Sequence, residues 1–185
     1  MPKAHAHEGH DGGAQGRYAG AMSPQIRIWT CAAFLPAYGC GGWASVRMAG
    51  GQTTGVAGGE RHATARRIAL AGLAAALRDL PPAGAGTAIS IQTTSAELAE
   101  FTAVLARLGQ PSQDEIPAED LDLWAQILTA SKGRRMTLTR TTSQPGAPAA
   151  FTTAWAQFAR DKAKASGPFS APIPKVNLAK FPGVS

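Results

Sequence analysis

Between Gln25 and Leu80 the hydrophobic period changes once, and that change restricts the fold more than any other feature of the chain. Ile26, Ile28 and Thr30 alternate with Arg27, Trp29 and Cys31, the two-residue period of a strand. Pro36 to Gly42 is turn material, Trp43 to Met48 reads as a second strand, and Gln52 to Val56 follows as a third after the Gly50-Gly51 turn. Three short strands with tight turns predict an antiparallel meander. From Thr64 to Leu80 the period becomes helical: Leu70, Leu73, Ala74 and Leu77 share one face, and Pro81-Pro82 stops the helix. A meander that feeds a helix must pack that helix back on the sheet it has just left.

The remainder continues the pattern. Thr87 to Gln92 is a short strand. Ser95 caps a helix whose Leu98, Phe101, Leu105 and Leu108 face inward and which Gly109 ends. Gln110 to Ala118 is an acidic, proline-containing loop, Leu121 to Thr129 a short helix, and Met136 to Thr142 a fifth strand. Ala149 to Lys164 is a last helix, with Phe151, Ala154, Trp155 and Phe158 at core spacing. The order βββ-α-β-α-α-β-α predicts an α/β fold. Its sheet has five mixed strands, three in the antiparallel meander and two parallel, flanked by helices. That domain spans residues 25–165, after a flexible, glycine-rich leader at 1–24 and before a proline-rich, extended tail at 166–185.

Composition sets limits on function. Hydrophobic residues make up 44% of the 185 positions, enough for a core. The net charge of +6 suits a polyanionic partner without demanding one. Two cysteines, Cys31 and Cys40, are too few for a disulfide scaffold and read as reduced thiols of a cytoplasmic protein. No apolar window is long enough for a membrane span, and no secretory signal is read. His5, His7 and His10 with Asp11 either clasp a metal loosely or are simply solvated.

Several strings, in order, carry a resemblance. They are Trp29-Thr30-Cys31, Gly41-Gly42-Trp43-Ala44, Gly58-Gly59-Glu60, and Thr64 opening the first helix. Thr93-Thr94-Ser95, Asp122-Leu123-Trp124 and Gln144-Pro145-Gly146-Ala147 follow. Together with the element order they resemble the ribonuclease H family from about Gln25 to Ala165. There the corresponding strings read Thr-Asp-Gly, Gly-Gly-Trp-Ala, Gly-Gly-Glu, Thr-Asp-Ser, Asp-Leu-Trp and His-Pro-Gly-Asn.

The resemblance implies a nuclease of RNA–DNA hybrids in which four carboxylates hold two Mg²⁺ ions, hard cations that take oxygen ligands. Carried across, those four positions are Cys31, Ala69, Thr94 and Phe151, and none is acidic. No shift of register repairs the set, because the first strand contains no acid and Asp161 lies ten residues beyond Phe151. The family's magnesium is therefore expected to be lost, leaving no cofactor and no metal site. The paired asparagines fall at Ala65 and Arg66, and the loop histidine at Gln144.

Three hypotheses remain open. The first is a catalytically inactive binder of RNA–DNA hybrid or duplex. Its phosphate contacts would come from Thr64, Arg61, Arg66 and Arg67 at the first helix, and from Lys132, Arg134, Arg135 and Arg140 along the fifth strand and its approach. Thr64 reads first as a helix-start hydroxyl that caps backbone N–H groups. The second is a protein-interaction or structural subunit, whose apolar tail at 167–185 docks on a partner or folds back. The third is different chemistry, either residual hybrid cleavage by an atypical site or thiol chemistry at Cys31, against a plain buried cysteine.

Overall fold

The computed structural model describes residues 25–83, 87–108 and 116–183. The leader and most of the acidic loop, both read from sequence, lie outside the described residues. Among the described residues there are six strands: β1 (Gln25–Leu35), β2 (Cys40–Ala49), β3 (Gln52–Arg61), β4 (Ala88–Thr93), β5 (Arg135–Arg140) and β6 (Phe169–Pro172). The helices are α1 (Ala65–Ala76), α2 (Ala96–Ala99), α3 (Thr102–Arg107), α4 (Leu121–Ser131), α5 (Pro148–Ser166) and α6 (Lys175–Leu178).

The meander forms as the turn chemistry predicts. Gly50 and Gly51 have φ of 56° and 77°, the left-handed pair that a two-residue hairpin needs. β1 then continues outward through parallel pairing with β4, and β4 with β5. The sheet order is β5-β4-β1-β2-β3-β6. The five-stranded expectation is corrected to six. β6 comes from the tail and pairs antiparallel with the outer edge of β3, Phe169 opposite Gly59 and Pro172 opposite Val56.

The pleat of β1 sorts the core into two layers. Ile26 and Ile28 join Leu70, Leu73, Ile89, Ile91, Trp124 and Ile127 under α1 and α4. Trp29 and Cys31 join Ala44, Val46, Ala57, Ala156 and Ala159 under α5. α1 is buried along nearly its whole length from Ile68 to Leu77, held between the sheet and α4.

α5 packs differently from the sequence reading. Its buried stripe is Ala149, Thr152, Ala156, Ala159 and Ala163, not the aromatic set. Phe151 and Trp155 are half-buried, Ala154 is exposed and Phe158 is 56% exposed. The reason is steric. A Cβ on Gly42 would stand 2.0 Å from the Arg160 nitrogen and 2.4 Å from the Ala156 carbonyl oxygen. One on Gly59 would stand 2.6 Å from the Ala163 methyl. Backbone lies almost on backbone here, so only small side chains fit and the aromatics are displaced to the flank.

The tail folds back on its own domain. After β6, the Ile173 N–H donates to the Gly55 carbonyl at 2.8 Å, and Leu178 covers Gly55. Phe181 sits edge-on to Trp29 and to Phe151, with ring centroids at 5.2 and 5.3 Å. At 2% exposure, its ring contributes about 2–3 kcal/mol to holding the tail in place.

Candidate functional site

The four positions that the resemblance assigns to metal-binding acids fall in two different layers. Cys31, mid-strand on β1, faces α5 and is 3% exposed. Its Sγ lies 2.9 Å from Thr152 Oγ1 and 3.7 Å from the Ala149 carbonyl oxygen. The Thr152 hydroxyl also reaches the Pro148 and Ala149 carbonyls at 3.3 and 3.2 Å. Phe151, one residue earlier on α5, turns its ring to Phe181 and Trp155. Ala69 lies on the opposite face of the sheet, in the α1 layer, and is also 3% exposed. Thr94, just past β4, is half-buried between Thr93, whose hydroxyl accepts from the Ser95 N–H, and the Ser95 cap of α2.

This donor set does not fit a magnesium pair. A thiol is a soft ligand, a methyl and a phenyl offer no lone pair, and a threonine hydroxyl carries no charge. The thiol is enclosed by α5 and already engaged with a hydroxyl. Among the described residues no cluster of His, Cys, Asp and Glu is arranged to hold a metal ion.

The basic positions divide into engaged and free. Thr64 Oγ1 accepts from the Arg67 N–H at 3.1 Å, so it caps α1. Arg67 reaches three carboxylates at once: Glu60 at 2.9 Å, Asp120 at 3.1 Å and Asp122 at 3.0 Å. The hydrogen bond to Asp122 raises the Arg67 pKa, against an opposing effect of burial, and it holds the Asp122 carboxyl below its ordinary range. Asp120 enters α4 at φ 57°, a left-handed backbone that aspartate tolerates, with its carboxylate on Arg67. Arg66 pairs with Glu119 at 3.0 Å and stands 5.6 Å over the Phe101 ring. Arg61 donates to the Ala163 and Lys164 carbonyls at the end of α5. Arg134 donates to the Ala130 and Pro81 carbonyls. Lys132, Arg135 and Arg140 are exposed and have no partner among the described residues.

Two features escaped the sequence reading. Glu60, Glu119, Asp120 and Asp122 clamp the start of α1; their charges are visible in the sequence, but their partners lie 7 to 55 residues away. The second is one face of the outer half of the sheet, which no helix among the described residues covers. Burial alternates along β5, with Met136 and Leu138 inside and Arg135, Thr137 and Thr139 outside. That alternation was legible, but whether a helix covers the outer face was not.

No family model and no curated protein matches the sequence. Solved structures do match. The LC9 ribonuclease H1, a type 1 enzyme with the type 2 active-site motif, is 16% identical. That alignment covers 85% of this chain and 80% of the other, at a TM-score of 0.54. The N-terminal ribonuclease H domain of rv2228c from Mycobacterium tuberculosis is 19% identical over 78% of this chain and 99% of its own, at 0.53. The LC11 ribonuclease H1, solved in complex with an RNA/DNA hybrid, is 16% identical over 75% and 99%, also at 0.53. The chain has a ribonuclease H-like fold.

Proposed function

We propose that this chain is a non-cleaving protein on a ribonuclease H-like scaffold that binds nucleic acid, with RNA–DNA hybrid or duplex as its ligand class. The observation that carries the reading is the enclosure of Cys31 against Thr152, where a metal-binding acid would have to stand open to a phosphate. A scaffold without that carboxylate repels a phosphate backbone less and needs no ion to bridge it. Lys132 and Arg135 are the primary phosphate contacts in this proposal. Arg61, Arg66, Arg67 and Arg134 organise the scaffold behind them, and Thr64 caps α1. The likeness to a hybrid-bound ribonuclease H1 supports the ligand class through the fold. Among the described residues no helix is long and apolar enough to cross a membrane. We place the protein in the cytoplasm, on the evidence that Cys31 and Cys40 are both free thiols.

The test is fluorescence anisotropy with a labelled hybrid in EDTA. Binding is expected without metal, weakening about tenfold from 50 to 200 mM salt for two phosphate contacts. The same protein with Mg²⁺ or Mn²⁺ is expected to leave the hybrid intact on a gel. Metal-dependent cutting, or no binding at low salt, overturns the reading. A protein-interaction subunit is the second reading, favoured by Phe158 at 56% and Val176 at 71% exposure. It predicts no anisotropy change with any nucleic acid.

A further inference from the structure

One face of the sheet is covered only in part. α5 lies over β1, β2 and β3, and the tail fills the space below it down to Trp29. Among the described residues no helix lies above β4 and β5 on that same face. The pleat places Arg27 of β1, Ser90 and Gln92 of β4, and Arg135, Thr137 and Thr139 of β5 together there. Arg27 pairs with Ser90, Ser90 with Thr137 and Gln92 with Thr139 across the three strands. Arg27, Arg135, Thr137 and Thr139 are exposed, and Ser90 and Gln92 are half-exposed even though β4 is an interior strand.

The chemistry of this shelf is selective. β1, β4 and β5 contain no Asp or Glu at all. The described carboxylates lie elsewhere, five of them around Arg66 and Arg67 on the other side of the sheet. Arg27 and Arg135 have no partner among the described residues. Gln92 accepts the Trp29 indole N–H through Oε1 at 3.0 Å, which fixes the amide and leaves its NH₂ to donate. Hydroxyls of Ser90 and Thr139, with that of Thr137 held on the Ile89 carbonyl at 3.5 Å, complete a surface of polar groups and cations. It carries no large apolar anchor of the kind that centres a protein interface.

Strands stand about 4.8 Å apart, so the shelf is about 10 Å across from β1 to β5, with the wall of Phe181 and α5 along one side. That width admits one strand; a duplex, whose major groove alone is about 12 Å wide, would overhang it. From these observations we propose that the open face of β1, β4 and β5 seats one unpaired nucleic-acid strand, running on from duplex held near Lys132 and Arg135. The inference rests on the nucleic-acid binding proposed above and extends it from Arg135, which the two surfaces share, across the face of β4 to Arg27.

The experiment compares a blunt RNA–DNA hybrid with the same hybrid carrying an unpaired tail of roughly ten nucleotides, within the usual site size for single strands. A tail on either end is tried, in EDTA, by anisotropy. Wild-type protein is expected to bind one tailed form about tenfold more tightly than the blunt form. In Arg27→Gln with Gln92→Ala that gain falls to twofold or less, the salt slope for the tailed form drops by about 0.7 for one lost phosphate contact, and blunt binding stays within twofold. Lys162→Gln with Lys164→Gln, which removes two charges from the far end of α5, keeps the gain. The shelf is overturned if the tail brings no gain in wild type, if the shelf variant keeps the gain, or if the Lys162 and Lys164 variant loses it equally. In each of those cases blunt-hybrid binding shows that the broader reading still stands, whereas no binding of any form removes both. Should the shelf variant melt early, a 4-thiouridine tail photocrosslinked to the wild-type chain decides the matter. Crosslinks within 88–93 or 135–140 support the shelf, and crosslinks confined elsewhere overturn it.

Discussion

Arg67 answers three acids with one guanidinium, and its removal leaves Glu60, Asp120 and Asp122 facing one another. The cluster is partly exposed, so water screens much of the repulsion; Arg67→Ala is expected to cost about 1–2 kcal/mol near neutral pH in a denaturant titration. The pH dependence follows from Asp122. Its carboxyl is held low in the folded chain, chiefly by the hydrogen bond from Arg67. The stabilisation is therefore present above the unfolded value of about 3.9 and is lost as pH falls through the lower folded value. Melting curves from pH 7 to pH 3 should show an acid-side loss in wild type that is shallower in Arg67→Ala. Cys31→Asp tests the other residue-scale claim. A carboxylate there meets a hydroxyl and a carbonyl but no cation, and is expected to cost about 3 kcal/mol or more. It should yield no magnesium-dependent cutting of hybrid, because Ala69 and Phe151 still offer no oxygen ligand.

At the scale of elements, the contact between α5 and the meander is set by what is missing from it. Gly42→Ala would drive a methyl into the Arg160 nitrogen and the Ala156 carbonyl, both backbone atoms that cannot rotate away. We expect a loss of about 3 kcal/mol or more, read as a fall in the melting temperature. The helix ends where Arg61 of β3 caps its last carbonyls, so strand and helix hold each other's register. The tail depends on one ring. Phe181→Ala empties the pocket between Trp29 and Phe151 and should cost about 3–5 kcal/mol of tail docking. Hydrogen exchange at the Ile173 amide, which donates to Gly55, should rise while that at Ile28 stays slow.

Taken as a whole, the molecule was legible wherever neighbours in sequence decide structure. The Gly50-Gly51 turn, the α1 face of Leu70, Leu73 and Leu77, and the inward set Leu98, Phe101, Leu105 and Leu108 all stand as read, although that second helix is broken into α2 and α3 at Phe101. What failed depends on distant chain. The prolines of the tail read as an extended segment without a place in the sheet, and β6 is an edge strand with Pro172 as its last residue, a position where a missing N–H costs least. Phe158 had core spacing, but the closeness of Gly42 to α5 had already taken the core for alanine. At the candidate site the absence of acids was plain from sequence. The pairing of α1 cations with carboxylates up to 55 residues away was not, because sequence shows charges but not their distances. The result is a charge-divided molecule, with five of the described carboxylates gathered around Arg66 and Arg67 and none on the three strands that form the open shelf.

β6 and Phe181 also bear on how the chain is made. The strand that covers β3 is synthesised more than a hundred residues after the edge it protects. Until residues 169–181 leave the ribosome, a nascent domain already holding its meander displays a bare strand edge and an uncovered Trp29. That interval is when this protein is most open to misassociation and to capture by chaperones.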